Sequence, residues 1–389
     1  MGLASSQLVM RMLAAAVLFG GMSAPLTAAG TPAWTITLHG LENRPSVLAL
    51  VGGRAVWAVR TTDGAVEFRT SVGGGIRRVY RAALPAAPPD APTSFYRTTI
   101  DQAIEAIDGD RAHVAFLRRV SLVRTPKCVE ASPPCRAPSF REPWAAQVLV
   151  GTLRGRFRVV AEAKRADDPC VAVPTVLAAR GSAVVYATEA PLRRGCIGAN
   201  AAARVVLLTL TPRPRARVLE AVQGRPGSVA FAGRHVAWST VDCACVVIYD
   251  LGSGRSGRVR VGDRYADSLH LQPDGKLVFV SVVHRRLGAT LCGREEIGYV
   301  ANGGRTPRFL GWPAHLLAGF AGNRVVYVGG PRADCTGSHP RLVTQRLGTR
   351  PRTLPRSAFA LVGAAFDGSR LLTATAFGND TVLRLEPLP

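Results

Sequence analysis

Lysine is nearly missing from this chain: three lysines stand against 46 arginines in 389 residues. Aromatic residues amount to only 6%. Stretches with the 3.6-residue apolar period of an amphipathic helix are almost absent, which excludes a helical bundle and a helical solenoid. No apolar run reaches the roughly 18 residues that a membrane-spanning helix needs. The Gly-x-Ser-x-Gly elbow, the His-Glu-x-x-His zinc helix, the P-loop and the dinucleotide-binding glycine fingerprint are missing. No Cys-x-x-Cys pair or Cys/His zinc spacing occurs either. The sequence therefore offers no catalytic, cofactor-binding or metal-ligating residues, and no cofactor is expected.

What is present points to a strand-rich fold. The chain is 47% hydrophobic, enough for a large core. Its 40 glycines and 27 prolines suit many short strands joined by tight turns. Net charge is +23. The charge is spread along the chain, whereas a nucleic-acid binder more often gathers it into a patch or tail. No specific nucleic acid is expected. An arginine skew this strong fits a GC-rich genome as well as a ligand. If the charge has a partner, acidic polymers of a cell envelope fit it.

Residues 1–30 read as a signal peptide. Arg11 supplies the positive region, Met12 to Met22 the apolar core, and small residues lead to cleavage after Ala29 or Gly30. Met10 is an alternative start, because the signal is complete from there. The opening MGLASS matches a myristoylation pattern, but the apolar core directly downstream speaks against that use. No cysteine lies near the cleavage site, so a lipoprotein is not expected. The expectation is a secreted or extracytoplasmic protein with no transmembrane segment in its mature part. Eight cysteines, an even number, suit an oxidising compartment.

One pattern recurs through residues 31–389: a glycine, an apolar pair, an aromatic, then a small or apolar residue. It occurs as Gly53 with Val56-Trp57-Ala58, Gly109 with Ala115-Phe116-Leu117, and Gly181 with Val185-Tyr186-Ala187. Gly233 with Ala237-Trp238-Ser239, Gly275 with Val278-Phe279-Val280 and Gly322 with Val326-Tyr327-Val328 continue it. Gly368 with Leu372-Thr373-Ala374 keeps the frame but replaces the aromatic. Positions 57, 116, 186, 238, 279, 327 and 373 are separated by 59, 70, 52, 41, 48 and 46 residues, a period of propellers or solenoids. Each unit holds an apolar run before the glycine, the aromatic run, a further run such as Val205–Leu208, and an Arg/Val-rich run such as Arg156–Val160. Four strands per unit make a propeller blade. The expectation is an all-β fold, a single β-propeller of about seven four-stranded blades. Six or eight blades are the neighbouring counts. The last unit stops one strand short, and Trp34–Leu38 is its natural donor. That strand would complete the last blade, close the ring and cover a free edge.

The run Leu271-Gln272-Pro273-Asp274-Gly275-Lys276-Leu277-Val278-Phe279 resembles the Pro-Asp-Gly repeat of TolB-like and WD40-like propellers. Pro and Asp favour turn starts and Gly takes positive φ. Asp108-Gly109 and Asp367-Gly368 keep two of the three residues, and the Trp-Ser that often precedes the triplet is missing. The resemblance implies the fold and a binding-scaffold role.

Strands in a blade alternate direction, so second-to-third loops and inter-blade connections share one face. Nearly all the unusual sequence falls there: 83–94, 121–144, 163–174, 189–202, 284–296 and 329–340. The eight cysteines map to the same face, and eight allow 105 pairings. The preferred set is Cys128–Cys135, Cys170–Cys196 and Cys292–Cys335, which leaves Cys243 and Cys245. A metal or redox site at Cys243 and Cys245 with His284 or His339 is the less favoured use of that last pair. His113 and His235 fall in second strands and read as packing residues. The recurring aromatics read as core between blades. The function expected is non-catalytic binding or scaffolding by a monomer, through a loop-rich, disulfide-braced face, with a protein or an acidic envelope polymer as partner. The alternative is a propeller enzyme, a glycan lyase or hydrolase working in the central funnel.

Overall fold

The computed structural model describes residues 34–388 except 73, 91–94, 128–138, 166, 192–195, 197–201, 212–213, 223–225, 241–243, 262–264, 288–289, 330–340 and 358–359. The described residues form antiparallel sheets of four strands each: blade 1 (47–82), blade 2 (96–164), blade 3 (173–221), blade 4 (226–260), blade 5 (265–313), blade 6 (314–357) and blade 7 (361–387). In each of blades 1 to 6 the strands pair in chain order. The fourth strand of blade 7 is Trp34–Leu38, which pairs antiparallel with Asp380–Pro387 from Trp34 opposite Leu385 to Leu38 opposite Thr381. The inner strand of each blade packs on the inner strand of the next, and that of blade 7 packs on that of blade 1. Seven sheets following one another in this way are a β-propeller.

Burial explains the order. Strands with apolar side chains on both faces must be covered on both, and each blade is covered by its two neighbours. One apolar cluster fills each seam between consecutive blades. Between blades 7 and 1 it joins Ile36, Leu38, Leu372 and Leu383 to Trp57; between blades 3 and 4 it joins Val185 and Val205 to Phe231 and Trp238. The recurring aromatics all sit on second strands and face the preceding blade. Trp57, Phe116, Phe279 and Tyr327 are fully buried there. They are inter-blade core. Where blade 7 carries Thr373 instead, Phe366 and Leu371 fill the seam with blade 6.

The Pro-Asp-Gly turn forms as its chemistry dictates. Gly275 has φ +82°, its N–H donates to the Gln272 carbonyl at 2.9 Å, and the Asp274 carboxylate accepts the Lys276 N–H at 3.1 Å. Such turns also latch blades together. The Gln272 amide donates to the Gly322 carbonyl of the next blade at 2.9 Å. His113 and His235 do similar work, each holding a carbonyl of the following blade, Gly181 at 2.9 Å and Pro273 at 3.2 Å.

Two expected loops carry strand. Within 121–144, the second strand of blade 2 runs on to Pro126 and the third begins at Phe140. Tyr96 pairs with Pro126 and Arg124 with Phe140, so three strands rise past the blade as an arm. Val120 and Leu122 give the physical reason: they bury against Ile100, Leu84 and Trp144 in a small core of their own. Within 284–296, Leu277–Leu287 and Thr290–Val300 pair without a break to Leu287 opposite Thr290. Blades 5 and 6 have no loop between them, because Arg308–Ala321 serves as the outer strand of one and the inner strand of the other.

Candidate functional site: the face of the long hairpins

The second-to-third ends of the blades, where the long hairpins of blades 2 and 5 project, form the most elaborated face among the described residues. The arm of blade 2 has an aromatic tip. Tyr96 and Phe140 meet edge to face with ring centres 5.3 Å apart, and the Arg124 guanidinium lies 6.0 Å from the Phe140 ring centre. Phe95 beside them is 83% exposed and Phe140 43%, although a soluble domain usually keeps phenylalanine covered. Arg97 and Arg141 are exposed on the same arm.

Below the tip the arm is fixed by polar side chains. Gln102 is buried; its amide donates to the carbonyls of Gly64 at 3.0 Å and Ala82 at 3.2 Å in blade 1. Its oxygen accepts from Arg118 at 2.7 Å, Arg118 donates to Gln147 at 3.0 Å, and Gln147 donates to Glu162 at 2.6 Å. This row crosses all four strands of the blade. Asp101 forms ion pairs with Arg60 of blade 1 and with Arg141 at 2.9 Å. Arg119 pairs with Glu105 at 3.0 Å and Glu189 of blade 3 at 3.5 Å. The arm is thus bolted to both neighbouring blades, so its tip is carried on a rigid element.

The Cys170–Cys196 disulfide lies beside it, with Cα atoms 5.1 Å apart. It ties the connection entering blade 3 to the second-to-third segment of that blade. Asp168 orders the approach by accepting the Cys170 N–H at 2.9 Å. A crevice of about 130 Å³ separates this connection from the arm, between Trp144, Leu122, Arg165 and Pro169. Cys245 opens the third strand of blade 4, is buried and is disulfide-bonded, so it has no thiolate to give a metal. Cys292 stands opposite Arg285 in the blade 5 hairpin, and His284 opposite Gly293. Cys128, Cys135, Cys243, Cys335 and His339 lie outside the described residues. The pairings Cys128–Cys135 and Cys292–Cys335 therefore have no structural account here.

Sequence reasoning missed one group on the inner strands. Asp108 of blade 2 accepts the Ala179 N–H at 2.9 Å and pairs with Arg180 of blade 3. Both charges act on His270 of blade 5. Burial pushes the His270 imidazole down to about 4; Arg180 adds to the shift and Asp108 opposes it. Part of the residue still reaches solvent, but the ring itself is desolvated. His270 directly precedes Leu271 and the Pro-Asp-Gly turn, and nothing in the repeat marks it out. Among the described residues no group of three or more His, Cys, Asp or Glu could hold a metal ion.

No protein-family model matches the sequence, and no curated protein matches it. Among solved structures the chain is similar to an acylaminoacyl peptidase from Pyrococcus horikoshii, with 11% identity and a TM-score of 0.49, over 86% of this chain and 50% of that one. It is similar to the WD40 domain of Pan2 from Neurospora crassa, with 10% identity and a TM-score of 0.46, over 92% of this chain and 96% of that one. It is also similar to the β-propeller domain of the Trilobed protease from Pyrococcus furiosus, with 11% identity and a TM-score of 0.45, over 76% of this chain and 85% of that one. These likenesses concern architecture alone, and the propeller assignment rests on the strand pairings and seams described above.

Proposed function

We propose that this chain is an exported, non-catalytic binding propeller whose hairpin-bearing face holds a protein or an acidic polymer of the cell envelope. The observation that carries the reading is the arm of blade 2, an exposed Phe95–Phe140 tip flanked by Arg97, Arg124 and Arg141 and braced to both neighbours. Rigid strands that present aromatic and guanidinium groups recognise partners at low entropic cost. Export is supported by the apolar run Met12 to Met22 and by the disulfides. The turn at Pro273-Asp274-Gly275 supports a place beside the TolB-like secreted propellers. The pairing of Trp34–Leu38 with Asp380–Pro387 supports a latch in which the N-terminal strand holds the ring shut.

The test has two parts. N-terminal sequencing of exported protein is expected to begin near Gly30 or Thr31; recovery of Met1 or Met10 contradicts export. Immobilised mature protein is then exposed to its own cell-envelope extract. A retained component is expected to fall by about tenfold when Phe95 and Phe140 are both changed to Ser, the loss of two partly buried aromatic anchors. Protease treatment of the extract separates a protein partner from a polymer. Retention unchanged by the double substitution contradicts this use of the arm.

A further inference from the structure

On the opposite face, that of the tight first-to-second turns, blades 2 and 3 part to leave a cleft of about 370 Å³. That volume lies within the range of small-molecule sites. Val150 and Leu210 give it an apolar floor, and Arg156 and Arg158 line it beside His113. The local fold explains the arrangement. Arg158 stands opposite Val150 across the strand ladder and so shares its face, which is the face toward blade 3. Arg156 lies two residues away at the hairpin corner, with φ +63°, a conformation that non-glycine residues seldom adopt.

Arg180, Arg234 and Arg370 at neighbouring turns are each paired, with Asp108, Asp250 and Asp367. Among the described residues the side chains of Arg156 and Arg158 have no hydrogen-bond or ion-pair partner. Two uncompensated guanidiniums thus converge on one concavity. His113 adds the opposite polarity. Its Nδ1 is 2.9 Å from the Gly181 carbonyl, and a carbonyl only accepts, so Nδ1 bears the proton. In the neutral ring Nε2 is then an acceptor.

We propose that the cleft between blades 2 and 3 binds an acidic sugar, a pyranose carrying a carboxylate or a phosphate. The anion would bridge Arg156 and Arg158, whose planar forks match carboxylate and phosphate oxygens. A hydroxyl would donate to His113 Nε2, and the apolar face of the ring would lie on Val150 and Leu210. A simple inorganic anion uses neither the floor nor the acceptor, and a neutral sugar uses neither arginine. The site lies on the face away from the blade 2 arm, so it stands or falls separately from the binding role proposed above.

Calorimetric titration of the full chain in low salt tests this with glucuronate, glucose 6-phosphate, glucose and inorganic phosphate. At least one acidic sugar is expected to bind one saturable site about tenfold or more tighter than glucose or phosphate, and the preferred acid distinguishes carboxylate from phosphate sources. Joint Arg156→Gln and Arg158→Gln substitution is expected to weaken binding by about tenfold or more, as befits lost charge-assisted contacts. Arg260→Gln, at an exposed arginine on blade 4, is expected to leave it unchanged. Melting curves establish that the variants are folded. Absence of saturable binding by both acidic sugars overturns the proposal, as does phosphate binding as tightly as either, or an equal loss in the Arg260 variant.

Discussion

His270 sets a pH dependence that belongs to one residue. Its folded pKa is about 4 against an ordinary 6.5, so between these values the unfolded chain binds the extra proton. A histidine held neutral contributes stability fully above pH about 6.5, and that contribution is lost as pH falls toward about 4. Over the whole window the shift corresponds to about 3 kcal/mol. Glu67 bears only on the bottom of this window. Burial raises the pKa of Glu67, but hydrogen bonds from Arg69 and Arg78 outweigh it and hold the group below its ordinary 4.5. Such a carboxylate gives up its contribution only at still lower pH. Denaturant unfolding of the wild type between pH 7 and 4.5 is therefore expected to show a decline that His270→Gln flattens. Parallel profiles for the two proteins would show that the ring is not held neutral.

At the scale of strands and connections, the blades could be read from sequence where one chemistry repeats. An aromatic on the second strand of six blades, three or more residues after a turn glycine, suits an inter-blade seam, and Trp57, Phe116 and Tyr327 stand in it. The arm of blade 2 could not be separated from a loop so readily. Its spacing of 70 residues between Phe116 and Tyr186 was the one numerical trace of extra length. The alternation of Val120 and Leu122 with polar neighbours was the local signal, masked by arginines and by Pro126. The unbroken strand Arg308–Ala321 was hidden by Gly311 and Pro313, residues that usually end strands. Spacing also carries no information on partners across blades, so the Asp108, Arg180 and His270 group was invisible.

The disulfide belongs to this scale too. Cys170 and Cys196 are 26 residues apart, and closing a loop of that size restrains the unfolded chain by about 3.5 kcal/mol in the chain-entropy model. The Cys170→Ser, Cys196→Ser double variant is expected to lose roughly 2–4 kcal/mol in urea unfolding. Its loss should also appear as faster amide exchange in the connection entering blade 3. A variant as stable as the wild type would mean that the bond braces nothing.

At the scale of the whole molecule, the first strand is the fourth strand of the seventh blade. Each seam is covered on both sides, and Ile36 and Leu38 of the first strand are buried between blade 7 and blade 1. Without that strand, Asp380–Pro387 would present an unpaired edge, which invites pairing between molecules. Exposing two large aliphatic side chains and part of Trp34 costs on the order of 5 kcal/mol. For about 350 cooperatively unfolding residues that lowers the melting temperature by about 7 °C. The most direct measurement is thermal unfolding and size-exclusion chromatography of the protein with residues 34–38 deleted. A lower melting temperature together with self-association is expected. A deleted protein that stays monomeric and melts where the intact one does would contradict the latch.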